Sequence, residues 1–230
     1  MLKTKNLFFV VSVSVMFAAC VLTFFNQGSA LRYLTEKAAR TSTEAANDDV
    51  AELVSNILND ETIALLEAYS QTADTINWED FSQTNDFTAF DSRARSLALN
   101  TRILKIKIYA RDGSTVYSTD LRQLGDDYSE REEVIHALRG RSTSSVSQRD
   151  FFRSFNEQLE DATIVSSYHS LRNLDGKLVG VIEIYADRTE EFKNLEREML
   201  TRKGLFLLIL VVIFFGGVAP LAISTYARTE

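Results

Sequence analysis

The stretch "IKIYARDGSTVYST", Ile106–Thr119, decides the fold. Ile106 and Ile108 alternate with Lys107 and Tyr109, Asp112-Gly113 tolerates the positive φ of a tight hairpin turn, and Thr115 to Ser118 returns as the partner strand. A second copy of the pattern, "LRNLDGKLVGVIEIY", Leu171–Tyr185, turns at Asp175-Gly176. Two Asp-Gly hairpins in one short chain predict an antiparallel sheet.

Around the first hairpin the period-two pattern begins at Ile103, where Leu104, Ile106 and Ile108 alternate with Lys105, Lys107 and Tyr109, the signature of a strand with one buried face. Next comes "YSEREEVIHALRGR", Tyr128–Arg141: Ser129 is placed to cap a helix with Glu132 three residues on, Val134, Ile135 and Leu138 give its apolar side, and Gly140 stops it. Ser142 to Ser147 reads as a strand, "RDFFRSFN", Arg149–Asn156, as an aromatic loop, and Thr163 to Leu171 with Lys177 to Asp187 as the last hairpin. This makes five antiparallel strands with a helix inserted between the second and third.

Upstream, Leu31 to about Ser70 holds no Pro or Gly and places Leu31, Leu34, Ala38, Ala45, Val50, Leu53, Ile57 and Ala64 at helical steps, which predicts one long helix over 31–70. Such a helix either pairs with its copy in a homodimer or packs singly on its own domain. Asp74 to Asn100 reads as shorter helical pieces carrying Trp78, Phe81, Phe87, Phe90, Leu97 and Leu99. Downstream, "ADRTEEFKNLEREMLTRK", Ala186–Lys203, has Phe192, Leu195, Met199 and Leu200 at helical spacing, a connector helix over 188–203.

Both ends are apolar. Leu7 to Phe25 is an uncharged run of nineteen residues, and at about 1.5 Å of rise per residue such a run is long enough to span a bilayer. Gly204 to Ala227 is also free of charge, and a span is expected over 204–226. Lys3 and Lys5 flank the first span and argue that the tail 1–6 lies inside, which puts 26–203 outside and the stub 227–230 inside. Two other readings of the first span are a signal peptide cleaved near Gly28-Ser29-Ala30, for which the run is too long, and a lipidation box "FAAC" at Cys20, for which Phe17 and the continuing apolar run are a poor fit.

Cys20 is the one cysteine of the chain, so neither disulfides nor cysteine metal sites hold the exported part together. The chain's net charge is −7, and removing Lys3, Lys5, Arg228 and Glu230 leaves the exported part more acidic still, which argues against nucleic acid as a partner. Catalysis finds little support: the histidines are His136 and His169, without a second ligand at metal spacing, and there is no phosphate loop or nucleophile elbow. A non-enzymatic protein without cofactor or metal is expected.

The order of span, long helix, "KIYARDGSTVYST", "LGDDYSEREEVIHALRGR", "DGKLVGVIEIY" and second span resembles the extracytoplasmic PAS-like sensor regions called single Cache or PDC domains, which precede the output modules of bacterial histidine kinases, diguanylate cyclases and chemoreceptors. The resemblance covers roughly residues 30 to 200. It implies an α+β fold, a PAS-like antiparallel sheet over 71–190 with a long N-terminal helix, flanked by two transmembrane helices in the bacterial inner membrane. It also implies a small-molecule pocket between the sheet and the inserted helix and loop, where the matching region offers Tyr109, Tyr117, Arg139, Arg149, Phe152, Tyr168, His169 and Tyr185. Aromatic walls with one or two cations suit a small carboxylate. The expected partners are that ligand, the bilayer, a second copy of the chain, and a cytoplasmic output domain or protein, since "STYARTE", Ser224–Glu230, is too short to be an output module. The alternative is a membrane-anchored assembly or regulatory protein whose PAS-like domain binds another exported protein.

Overall fold

The computed structural model describes residues 40–213 apart from Asn100, Asn156 and Leu174, with scattered positions between 11 and 37 and Gly216. Two compact units emerge, Arg40–Glu190 and a second made of Met1–Ala39 with Glu191–Glu230. The first contains α1 (40–57), α2 (Asn59–Thr72), α3 (Trp78–Phe81), α4 (Asn85–Ala98), β1 (Ile103–Ala110), β2 (Thr115–Ser118), α5 (Glu132–Leu138), β3 (Thr143–Arg153), β4 (Gln158–Arg172) and β5 (Leu178–Asp187). A further helix, α6, runs over Thr189–Ile213.

The strands form one sheet in the order β2-β1-β5-β4-β3, every pairing antiparallel. With α5 inserted between β2 and β3, this is the expected α+β, PAS-like arrangement. The first hairpin turns where the sequence places it: Gly113 has φ +90°, and a Cβ there would lie 2.4 Å from Ser129 Cα, so only glycine fits. Gly140, φ +80°, ends α5.

One face of the sheet is covered by α1, α2 and α4. Ala51, Val54, Leu58, Leu65 and Leu66 from α1, Leu58 and α2 meet Ile106, Ile108, Ile182 and Ile184, joined by Phe81, Phe87 and Phe90. The other face is covered by α5 and its flanking loop, with Val134 and Ala137 against Tyr109, Tyr168 and Val181. A smaller cluster of Leu104, Phe152, Ala162, Ile164 and Tyr185 continues the packing.

Four expectations are corrected. β1 is buried at every position, not on one face alone, because layers cover the sheet on both sides. Ser129 does not cap α5: Arg131 occupies the N-cap without a side-chain bond, while Ser129 N donates to Asp127 Oδ1 in a turn held against Gly113 by the bond from Tyr128 N to Gly113 O. The expected aromatic loop is strand, since β3 continues through Arg149–Arg153 paired with Gln158–Ala162. Along the long helix, Asn47, Ala51, Val54 and Leu58 are buried, whereas Leu53 and Ile57 are exposed; the helical period was legible but the buried stripe lies about one position away from it. The helix is also interrupted at Leu58, although the bonds from Leu58 N to Val54 O and from Thr62 N to Leu58 O carry the ladder across.

The expected first span, Leu7 to Phe25, and the second beyond Ile213 lie largely outside the described residues. Among the described residues no helix is long and apolar enough to cross a membrane.

Candidate functional site

Cross-strand register assembles the site. Lys107 on β1 stands opposite Glu183 on β5, and Glu183 opposite Tyr168 on β4, so cation, carboxylate and phenol form one row across three strands. The next row holds Lys105, Tyr185 and Ser166. Side chains two apart on a strand share a face, so Tyr109 and Val181 complete the same surface. Glu183 lies at its centre and is wholly buried.

Tyr109 donates its phenol hydrogen to Glu183 Oε2 in a short bond. Lys107 Nζ donates to Tyr128 Oη at 3.1 Å and sits 4.5 Å from the centre of that ring. Lys105 Nζ donates to Gln123 Oε1 at 3.2 Å and lies 5.1 Å above the Phe152 ring and 5.8 Å above Tyr185. From the loop before α5, Arg131 covers Tyr128 and Tyr168, its guanidinium carbon 5.7 and 5.4 Å from their centroids. Cations over ring faces are stabilised by the ring quadrupole, more so where water is excluded.

Burial, then the Glu183 carboxylate, pushes the Tyr109 and Tyr185 phenols well above their ordinary range, and the same two causes raise Tyr168. Burial lowers Lys105, assisted by the charge of Lys107. Burial also lowers Lys107, with Glu183 and Asp126 opposing. Two polar atoms of the cluster, Tyr168 Oη and Glu183 Oε1, are buried without a hydrogen-bond partner among the described residues. A buried polar atom left without a partner costs about 1–3 kcal/mol.

Of the residues expected at a pocket, Tyr109, Phe152, Tyr168 and Tyr185 come together here. Tyr117 lies on the other face of the sheet, its ring centroid 5.4 Å from that of Phe87 and 4.5 Å from that of Phe90, with its hydroxyl on Asp91. His169 alternates with Tyr168 and faces α1, where it meets Asp48. Arg139 is an exposed residue at the end of α5, and Arg149 is exposed on β3 with its Nε on Ser147 Oγ. Sequence reasoning overlooked Lys105, Lys107, Arg131, Tyr128 and Glu183 as site residues. The available signal was a carboxylate inside "VGVIEIY" and two lysines inside "ILKIKIY", charges where a buried strand has no use for them unless they are partnered.

Among the described residues no group of three or more His, Cys, Asp or Glu is placed to hold a metal ion. No family model matches the sequence. No curated protein matches it either. Solved structures similar to the chain include the sensor domain of E. coli DcuS, 15% identical over 69% of this chain and 98% of that one, with a TM-score of 0.39. The sensor domain of the V. cholerae histidine kinase DctB is 12% identical over 69% of this chain and 57% of that one, with a TM-score of 0.38. The ligand-binding domain of the Campylobacter jejuni chemoreceptor Tlp3, in complex with L-valine, is 13% identical over 73% of this chain and 65% of that one, with a TM-score of 0.29. These neighbours are sensor and ligand-binding domains.

Proposed function

We propose that the chain is an extracytoplasmic sensor that binds a small carboxylate in the cluster around Glu183. The observation that supports this is the pair of unpartnered buried atoms, Tyr168 Oη and Glu183 Oε1, set among Lys105, Lys107 and Arg131. Arg131 is paired with Glu133 at 3.2 Å, which leaves Lys105 and Lys107 as the cations for a ligand carboxylate, and a donor or hydroxyl on that ligand satisfies the orphaned oxygens.

In this reading residues 26–203 are outside the bacterial inner membrane, 7–25 and 204–226 span it, 1–6 and 227–230 are cytoplasmic, and the PAS-like domain occupies 71–190 between the long helix and the connector. The exposed Leu205, Leu208 and Val212 of α6 suit a lipid environment. Ligand binding biases the arrangement of the helices leading to the spans, and thereby an output domain or partner protein, only to the extent that the two arrangements differ in affinity.

The test is a thermal-shift screen of small carboxylates on the full chain in detergent. A stabilising compound whose effect is lost in Tyr168→Phe and in the double variant Lys107→Met with Glu183→Leu, both still folded, supports the reading. If every compound is silent and an exported protein co-purifies, the alternative of a membrane-anchored assembly or regulatory protein replaces it. The edge strand β3, with Phe151 67% exposed, is the surface that alternative would use.

A further inference from the structure

The other face of the sheet carries a second polar constellation that ligand sensing does not use. His169 on β4 donates from Nε2 to Asp48 Oδ1 on α1 at 2.6 Å, and its Nδ1 lies 3.1 Å from Ser142 Oγ at the start of β3. The imidazole is almost enclosed, its side chain 10% exposed, while Ser142 is exposed. Ser144 Oγ also donates to Asp48 Oδ1, at 3.4 Å, and helps hold the carboxylate in place. With Nε2 carrying the hydrogen toward Asp48, Nδ1 is the acceptor and Ser142 the donor. All three border a cleft of about 480 Å³, whose walls also include Glu52, Asn56 and Arg172.

We propose that Ser142 is an activated nucleophile, with His169 as its general base and Asp48 as the residue that positions the base. A hydroxyl within hydrogen-bond reach of a base that is itself oriented by a third group is the arrangement by which serine nucleophiles are recognised, whatever their order in the chain. The substrate class is a small polar acyl ester. Ser142 Oγ attacks the carbonyl carbon while its proton passes to His169 Nδ1, the carbonyl π electrons move to oxygen, and collapse expels the alcohol, which takes the proton from Nδ1. Water then repeats the sequence in reverse, leaving the carboxylic acid and free Ser142. Arg172, whose Nη1 donates to Gly176 O at 2.9 Å, is the one cation among the described residues lining the cleft.

The experiment is labelling of the full chain in detergent with a fluorophosphonate, read by peptide mass spectrometry, alongside release of nitrophenol from p-nitrophenyl acetate. The expected result is one adduct, on Ser142, absent in Ser142→Ala, whose exposed site leaves the fold intact. Removing the base in His169→Gln should slow labelling by about 100-fold or more, in line with the usual contribution of general-base catalysis. Around the imidazole the charged groups bordering the cleft are Asp48 and Glu52 on α1 and Arg172 on β4. Asp48→Asn should also slow labelling, and Asp48→Glu, which keeps the carboxylate, should restore it, a rescue that loss of a purely structural contact would not show. Absence of an adduct on Ser142 in folded protein overturns the proposal, as does labelling whose rate is unchanged in Asp48→Asn of unaltered melting temperature.

Discussion

Lys107 and Glu183 are register partners on β1 and β5, exposed by only 1% and 0%. Neither is tolerable there alone, because an uncompensated charge in the interior costs several kcal/mol. Each lowers the other's penalty, and Tyr109 and Tyr128 supply hydrogen-bond partners to the carboxylate and the ammonium. Glu183→Gln, which keeps the shape and removes the charge, should destabilise the domain by about 3 kcal/mol in urea unfolding. The double replacement Lys107→Met with Glu183→Leu should recover much of that loss. Equal losses in the single and double variants would show that the two charges are not coupled.

The tyrosines make alkaline unfolding a direct readout of the cluster. Tyr109, Tyr168 and Tyr185 have folded-state values raised by burial and by Glu183, so their contribution to stability is fully present below the unfolded value of 10.0 and is lost as pH climbs toward the folded values. Lys105 and Lys107, lowered by burial, act with the opposite sign: stability gains as pH rises from their folded values to the unfolded 10.5. Phenolate absorbance should therefore show an early exposed fraction, followed by a cooperative step coincident with loss of circular dichroism. A smooth, non-cooperative titration of all the tyrosines would contradict the buried cluster.

Leu53 and Ile57, four residues apart on α1 and 59% and 37% exposed, mark the apolar strip most suited to a second copy of the chain. In a Cys20→Ser background, cysteine at either position should crosslink in membranes, whereas cysteine at Glu67, exposed on α2, should not. Equal behaviour at all three sites would leave the helix as a monomer's packing element.

Two turn glycines separate conformational from steric need. Gly176, φ +75°, has nothing within 4 Å of an added Cβ, whereas Gly113, φ +90°, would press its Cβ against the Ser129 backbone. Gly176→Ala should cost about 1 kcal/mol, the ordinary penalty of a left-handed alanine, and Gly113→Ala at least about twice that. Similar losses in thermal unfolding would mean that the Tyr128–Ser129 segment yields easily.

The elements legible in the sequence were those with local causes: Asp-Gly turns, period-two strands and the glycine that ends α5. β3 was half missed because Arg149, Asp150 and Arg153 on an open sheet edge look like loop residues, and only pairing with Gln158–Ala162 makes them strand. Lys105 and Lys107 share a strand face with Tyr109 in the sequence, but a single strand does not reveal the layer above that face. Their burial depends on Gln123, Tyr128 and Glu183, brought in from other elements. His169 was singled out, but its partner Asp48 lies 121 residues away, a contact that no spacing rule anticipates.

Along β4, adjacent residues serve different neighbourhoods: Ser167 and His169 reach Asn47 and Asp48 on α1, while Tyr168 and Ser170 turn toward α5. Point substitutions can alter either neighbourhood alone. Loss or gain of one residue upstream in the strand cannot, because it inverts the facing of every side chain beyond it and would carry the phenol to the helix side and the imidazole to the carboxylate side at once. Divergence of this chain is thus free to vary the chemistry of β4 by substitution, yet bound to conserve its count of residues.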